Sequence, residues 1–112
     1  MFAFSEEAIV SWGQLKPVII VHGGAGTWYA EREKLGLKGV KEAAKKGFEA
    51  LTHGESAVEC VAEAVAVMED EGIFNAGYGS SFNIEKKIEM EASIMEGKTL
   101  NAGARARALL GF

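Results

Sequence analysis

The hydrophobic pattern along the chain changes period twice. The first readable stretch is Val18–Val21, four apolar β-branched residues between Pro17 and the glycines after His22. A short β-branched run bounded in this way predicts a buried strand. From about Ala30 to Thr52 the residues Leu37, Val40, Ala44, Phe48 and Leu51 recur at steps of three and four, on one face of a helix. Lys34, Lys38, Lys41 and Lys45 repeat at the same spacing on another face, which reads as solvated. His53-Gly54 ends that helix, Gly54 as the natural C-cap and His53 near the negative end of the dipole. Ser56 with Glu59 forms an S-x-x-E capping box that opens a second helix. There Val58, Val61, Val65 and Met68 make one apolar row, and Ala57, Cys60, Ala64 and Val67 a second beside it. So wide a face implies burial on more than one side, as between a sheet and another helix. From Ser80 the period becomes two. Ser80–Ile84, a turn at Glu85-Lys86 and Lys87–Met95 predict a β-hairpin with Ile88, Met90, Ala92 and Ile94 on the core face. Glu96-Gly97-Lys98 is a further turn.

Two loops between these elements carry candidate chemistry. In V-I-I-V-H-G-G-A-G-T-W, residues 18–28, Gly23, Gly24 and Gly26 have no Cβ. The backbone there can adopt positive φ or pass close to another group. The commonest purpose of such a turn is only to reverse the chain. No Gly-Lys-Ser/Thr follows, which excludes a P-loop, and the third glycine of a dinucleotide fingerprint is missing. His22 by itself reads as a satisfied buried histidine before it reads as a catalyst. The second loop, E-G-I-F-N-A-G-Y-G at 71–79, places Phe74 and Tyr78 around Asn75. It is either a tight anchor or a cation cage of carbonyls. Glu89 and Glu91 share one side of a strand, where paired carboxylates serve acid–base or metal chemistry or form an exposed face.

Composition narrows the classes. The 112 residues suffice for one small domain, and 48% apolar with 25% charged residues is globular. A net charge of −4 without a basic, aromatic-interleaved stripe speaks against nucleic acid as a partner. Cys60 is the only cysteine, which excludes an internal disulfide and fits a reducing, cytoplasmic setting. Its place in an apolar helical row makes it a core residue, not a nucleophile. No apolar stretch approaches membrane-spanning length, and the N-terminus lacks a basic region ahead of its apolar residues.

Four motifs in order carry a resemblance: VIIVHGGAGT at 18–27, SAVECVAEAV at 56–65, FNAGYGS at 74–80 and IEMEASIMEGKTLNAGA at 88–104. Together they resemble the N-terminal part of the plant-type asparaginase / isoaspartyl peptidase family of N-terminal-nucleophile (Ntn) hydrolases. The resemblance implies an α+β fold, the four-layer αββα Ntn arrangement. Of that fold this chain would hold the N-terminal strand, two helices and the β-hairpin. It implies autoproteolysis that exposes a threonine, which then hydrolyses the side-chain amide of L-asparagine or an isoaspartyl peptide bond. Carried over by position, His22, Gly23, Gly24 and Gly26 form the glycine loop near the cleavage site, and Asn75 lies close to the nucleophile. The main-chain carbonyls of Met68, Glu69, Glu71, Phe74, Ala76 and Tyr78 would hold a structural sodium ion, a hard cation suited to oxygen donors. No other cofactor is implied. The partners would be the rest of the α subunit, the β subunit and, for the complete enzyme, further copies.

The match is densest over residues 18–104. Residues 1–17 read as an extension and 105–112 as a divergent tail, where the family continues V-A-A-V and then N-P. The family's G-T-[VI]-G nucleophile segment has no counterpart here, and Thr27, Thr52 and Thr99 lie in other contexts. A truncated or frameshifted reading, inactive by itself, is therefore expected. The alternative is a non-catalytic subunit docking on a separately encoded, nucleophile-bearing partner.

Overall fold

The computed structural model describes residues 3–4 and 16–109, with the side chains of 16–106. The remainder of the 1–17 extension and the end of the 105–112 tail lie outside the described residues. The element order is β1 (Ala3–Phe4), β2 (Ile20–Val21), α1 (Ala30–Thr52), α2 (Ala57–Asp70), a 3-10 turn at Gly77–Gly79, β3 (Glu89–Met95) and β4 (Ala102–Leu109). The architecture is α+β, with two packed helices and two small antiparallel sheets, β1–β2 and β3–β4, among the described residues.

Helix boundaries follow local rules. Gly54 takes φ +90° just after the last turn of α1, a conformation an L side chain resists, and His53 is the C-cap. The capping box of α2 is complete. Glu59 N–H donates to Ser56 Oγ at 3.3 Å, and Ser56 N–H donates to Glu59 Oε2 at 2.9 Å. The Ser56 hydroxyl also donates to Glu59 Oε2 at 2.7 Å. The lysine row of α1 is exposed throughout, with Lys45 only loosely paired to Glu49 at 3.9 Å.

The buried face of α1 differs from the row that the apolar period picks out. Leu37 and Phe48 are 53% and 40% exposed, whereas Gly36, Gly39, Ala43 and Gly47 are buried. Small residues allow neighbours to approach the helix axis. A Cβ at Gly47 would lie 2.8 Å from the Cys60 carbonyl and 3.2 Å from Ala64 Cβ, so α2 packs directly on the α1 backbone. A Cβ at Gly39 would lie 2.8 Å from the ring of Phe74. The core that results is Ala43, Ala64, Met68 and Phe74, walled by Ile19, Val21, Trp28, Val40, Val67 and Ile73.

The predicted buried strand at Val18–Val21 is only half covered. Ile19 and Val21 face the helices, while Val18 and Ile20 remain 63% and 68% exposed. Among the described residues β2 pairs with β1 alone, in the register Ala3↔Val21 and Phe4↔Ile20, so residues 3–4 form an edge element.

The hairpin also differs. Between 80 and 95 only one bridge forms, Phe82↔Ile88. Asn83 closes the turn: its Oδ1 accepts from the N–H groups of Glu85 and Lys87, both at 2.9 Å. Lys86 there takes φ +59°. The ladder is instead β3 against β4, from Met95↔Ala102 to Glu89↔Leu109, and it crosses position 104 without a break. Its turn matches the one read at Glu96-Gly97-Lys98, with Glu96 N–H donating to the Asn101 carbonyl at 2.9 Å. A register shift between Met90 and Ala92 disturbs the alternation. Ile88 is buried and Met90 half-buried, but Ala92 and Ile94 are exposed.

Candidate functional site

The glycine loop leaves β2 and is closed by its own histidine. The Gly24 N–H donates to His22 Nδ1 at 3.2 Å. An accepting Nδ1 means that a neutral ring carries its proton on Nε2. His22 is exposed, so the reading of a satisfied buried histidine is corrected: its partner is local, and its ring borders a pocket. Gly24 and Gly26 have φ +105° and +138° with open space where a Cβ would point. Their glycines are required by backbone conformation. Gly23 is required by packing, since a Cβ there would lie 2.9 Å from Val40 and 3.0 Å from the Phe74 ring.

Phe74 thereby joins the two loops. Its side chain is 1% exposed, and burying an aromatic of that size contributes about 1.5–3 kcal/mol. Trp28 meets it edge-on, ring centroids 6.2 Å apart. Its other faces touch the places of Gly23 and Gly39. The next residue is Asn75, exposed, whose Oδ1 accepts from the Ser81 N–H at 2.8 Å. The glycine loop and the Asn75 loop, distant in sequence, are thus held against one ring. A small pocket of about 220 Å³ lies beside it, bordered by His22, Trp28, Glu33 and Leu37.

The 71–79 loop is an anchor through Phe74, and two of its glycines lie close against carbonyls. A Cβ at Gly77, which has φ +52°, would lie 2.5 Å from the Glu69 carbonyl oxygen. A Cβ at Gly79 would strike the Phe74 carbonyl and lie 2.7 Å from that of Gly72. Gly77 and Gly79 thus pack against the Glu69 and Phe74 carbonyl groups, where a side chain would not fit. The Ala76 carbonyl accepts from the Gly79 N–H at 3.0 Å and keeps a second lone pair. Met68 ends its buried row in the last turn of α2, Glu71 caps that helix, and Tyr78 lies in the 3-10 turn with its ring exposed. Main-chain carbonyls of the kind the resemblance implies are neutral oxygen donors, which suit a hard cation. Among the described residues no three His, Cys, Asp or Glu side chains converge as a metal site.

Other residues fall outside the junction. Glu89 and Glu91 lie on β3 and border a groove of about 1750 Å³ between α2 and the β3–β4 hairpin. Thr52 donates to the Glu49 carbonyl at 2.7 Å and Thr99 to the Glu96 carboxylate, so both hydroxyls serve turns. Glu59 is held below the ordinary glutamate range by the Ser56 hydroxyl and then the Ser56 N–H. Burial, and then the Glu55 charge, push the Cys60 thiol up, as expected of a core cysteine. Sequence reasoning missed Trp28 and Arg32. Arg32 Nη2 donates to the Ile73 carbonyl at 2.9 Å, joining residues 41 apart, and no local pattern signals such a bond.

Among the described residues no helix is long and apolar enough to cross a membrane. Comparison with known proteins bears on the same residues. The asparaginase family profile matches residues 15–108. The isoaspartyl peptidase/L-asparaginase of Xenopus laevis is 53% identical over 90 residues, 80% of this chain and 29% of the relative. Its namesake in Danio rerio is 52% identical over 88 residues, 79% of this chain and 28% of the relative. The plant-type L-asparaginase of Pyrococcus abyssi (strain GE5 / Orsay) is 55% identical over 89 residues, 79% of this chain and 29% of the relative. The chain spans less than a third of the length of these curated relatives. Both loops at the Phe74 junction lie inside the matched segment, and the chain belongs to the asparaginase family.

Proposed function

We propose that this chain supplies the glycine loop and the Asn75 loop of an enzyme that hydrolyses the side-chain amide of L-asparagine or an isoaspartyl peptide bond. The observation carrying this reading is the junction at Phe74, which sets Gly23 of one loop against the residue preceding Asn75. The nucleophile is a threonine from outside these 112 residues, made N-terminal by autoproteolysis in an αββα Ntn fold. Its free α-amine takes the proton of its own hydroxyl, which activates a weak nucleophile without a separate base. Attack on the carbonyl expels ammonia or the peptide amine, and water then releases aspartate from the acyl-enzyme. His22–Gly26 gives the cleavage region its backbone freedom, and Asn75 lies beside the nucleophile. The carbonyls of Met68, Glu69, Glu71, Phe74, Ala76 and Tyr78 would hold a structural sodium ion, which would stiffen the loop carrying Asn75. A cytoplasmic setting and assembly with further copies complete the reading.

A graft tests it. Residues 18–104 replace the matched segment of the Pyrococcus abyssi enzyme, and ammonia release from asparagine and aspartate release from a β-aspartyl dipeptide are measured. The graft should cleave itself and turn over, Asn75→Ala in it should lower kcat at least about tenfold, and the 112-residue chain alone should release no ammonia. A folded graft that neither cleaves nor turns over, or turnover by the chain alone, overturns the proposal.

The open groove beside α2 favours a second arrangement, in which the chain docks without a covalent link on a nucleophile-bearing partner. Activity restored by mixing the chain with the remainder of the Pyrococcus enzyme supports it. Failure to form a complex refutes it.

A further inference from the structure

The Ile73–Phe74 peptide is gripped from two sides. On one side the Phe74 ring is sunk in the core between the sites of Gly23 and Gly39. On the other, Arg32, in the first turn of α1, donates Nη2–H to the Ile73 carbonyl at 2.9 Å. Beyond that peptide the chain runs directly to Asn75, and from there through the 3-10 turn to Ser81, whose N–H meets Asn75 Oδ1 at 2.8 Å. A guanidinium is always charged, and a charged donor to a carbonyl is stronger than a neutral one. Without it the Ile73 carbonyl would lose the donor that faces it, and the loop would be held by the Phe74 ring and by the packing of Gly77 against Glu69.

We infer that Arg32 is a positioning residue: it latches the 71–79 loop to α1 and so sets where Asn75 is presented. The inference takes Asn75's role from the proposed function, whereas the latch itself does not depend on it. Arg32 touches no reacting group. It acts on Asn75 only through the Ile73 carbonyl.

Hydrogen exchange of the full chain, followed by NMR, tests the latch in the unmodified protein, Arg32→Ala and Arg32→Lys. The informative amides are Gly79, Ser80 and Ser81, which donate to Ala76, Gly77 and Asn75. In Arg32→Ala they should exchange on the order of tenfold faster, the loss of one charged hydrogen bond. The core amides of Ala43 and Ala64 should change less than about twofold. Arg32→Lys, which retains a charged donor, should recover most of the protection. Arg32→Gln, shorter and uncharged, should resemble the alanine variant and disturbs the surface of α1 less. Unchanged exchange in the loop overturns the proposal. An equal acceleration of loop and core also overturns it, because Arg32 would then contribute only to global stability. The measurement uses neither threonine nor substrate, so a failed latch is read in loop exchange and a failed asparaginase reading in the inactive graft.

Discussion

Gly47→Ala should destabilise the chain although alanine is the better helix former. In an α-helix the exchange by itself contributes about 1 kcal/mol of stability. At this position the new methyl would meet Ile19 Cδ1, the Cys60 carbonyl at 2.8 Å and Ala64 Cβ at 3.2 Å. Ile19 Cδ1 is the tip of a flexible side chain and can swing away. The Cys60 carbonyl belongs to α2 and cannot, so the two helices must separate by several tenths of an ångström. Such overpacking costs about 1–3 kcal/mol. The net loss is about 1 kcal/mol, which in a domain of this size lowers Tm by about 4–8 °C. Thermal melts followed by far-UV circular dichroism measure it, with Lys38→Ala on the exposed face as a control expected within about 0.5 kcal/mol of the original. Ile19→Val removes the nearest obstacle, so the double variant should show favourable coupling of about 0.5–1 kcal/mol. It should not return to the stability of Ile19→Val alone, because the Cys60 carbonyl is still in place. A higher Tm for Gly47→Ala would refute the close approach of the helices and leave helix propensity as the sole effect.

Ser56→Ala removes the N-cap of α2 and should cost about 1 kcal/mol at neutral pH, read by denaturant melts. Because the folded state holds Glu59 below its ordinary range, the stabilisation is whole above the unfolded glutamate value and is lost as pH falls through the folded one. The gap between original and variant should therefore narrow in acid, and a gap that widens would contradict the assignment. Cys60 is 2% exposed and its thiol is pushed up by burial, so an aromatic disulfide reagent at mildly alkaline pH should label it slowly. Labelling should become fast in denaturant, and rapid labelling of the folded chain would place Cys60 outside the core.

Much of the fold is written in short-range pattern. The span of α1 follows from its 3.6-residue period and the glycine after it, and the start of α2 from the Ser56–Glu59 box, because these depend on residues three or four apart. The turn at Glu96-Gly97-Lys98 is local in the same way. The glycine loop and the Asn75 loop could be singled out because glycines at Gly24, Gly26 and Gly77 answer to their own backbone angles.

Tertiary packing decided the rest. Which face of α1 is buried could not be read from apolar periodicity, because Gly36, Gly39 and Gly47 carry no hydrophobic signal and act by letting a partner come close. The alternation of Ile88–Ile94 marks a strand but does not record which neighbour pairs with it: residues 102–109 make the ladder and 80–84 only a single bridge. The meeting of Gly23 with Phe74, and the bond from Arg32 to Ile73, join segments far apart in sequence. The sequence named both loops of the candidate site. Only the core, by burying one phenylalanine between them, brought them together.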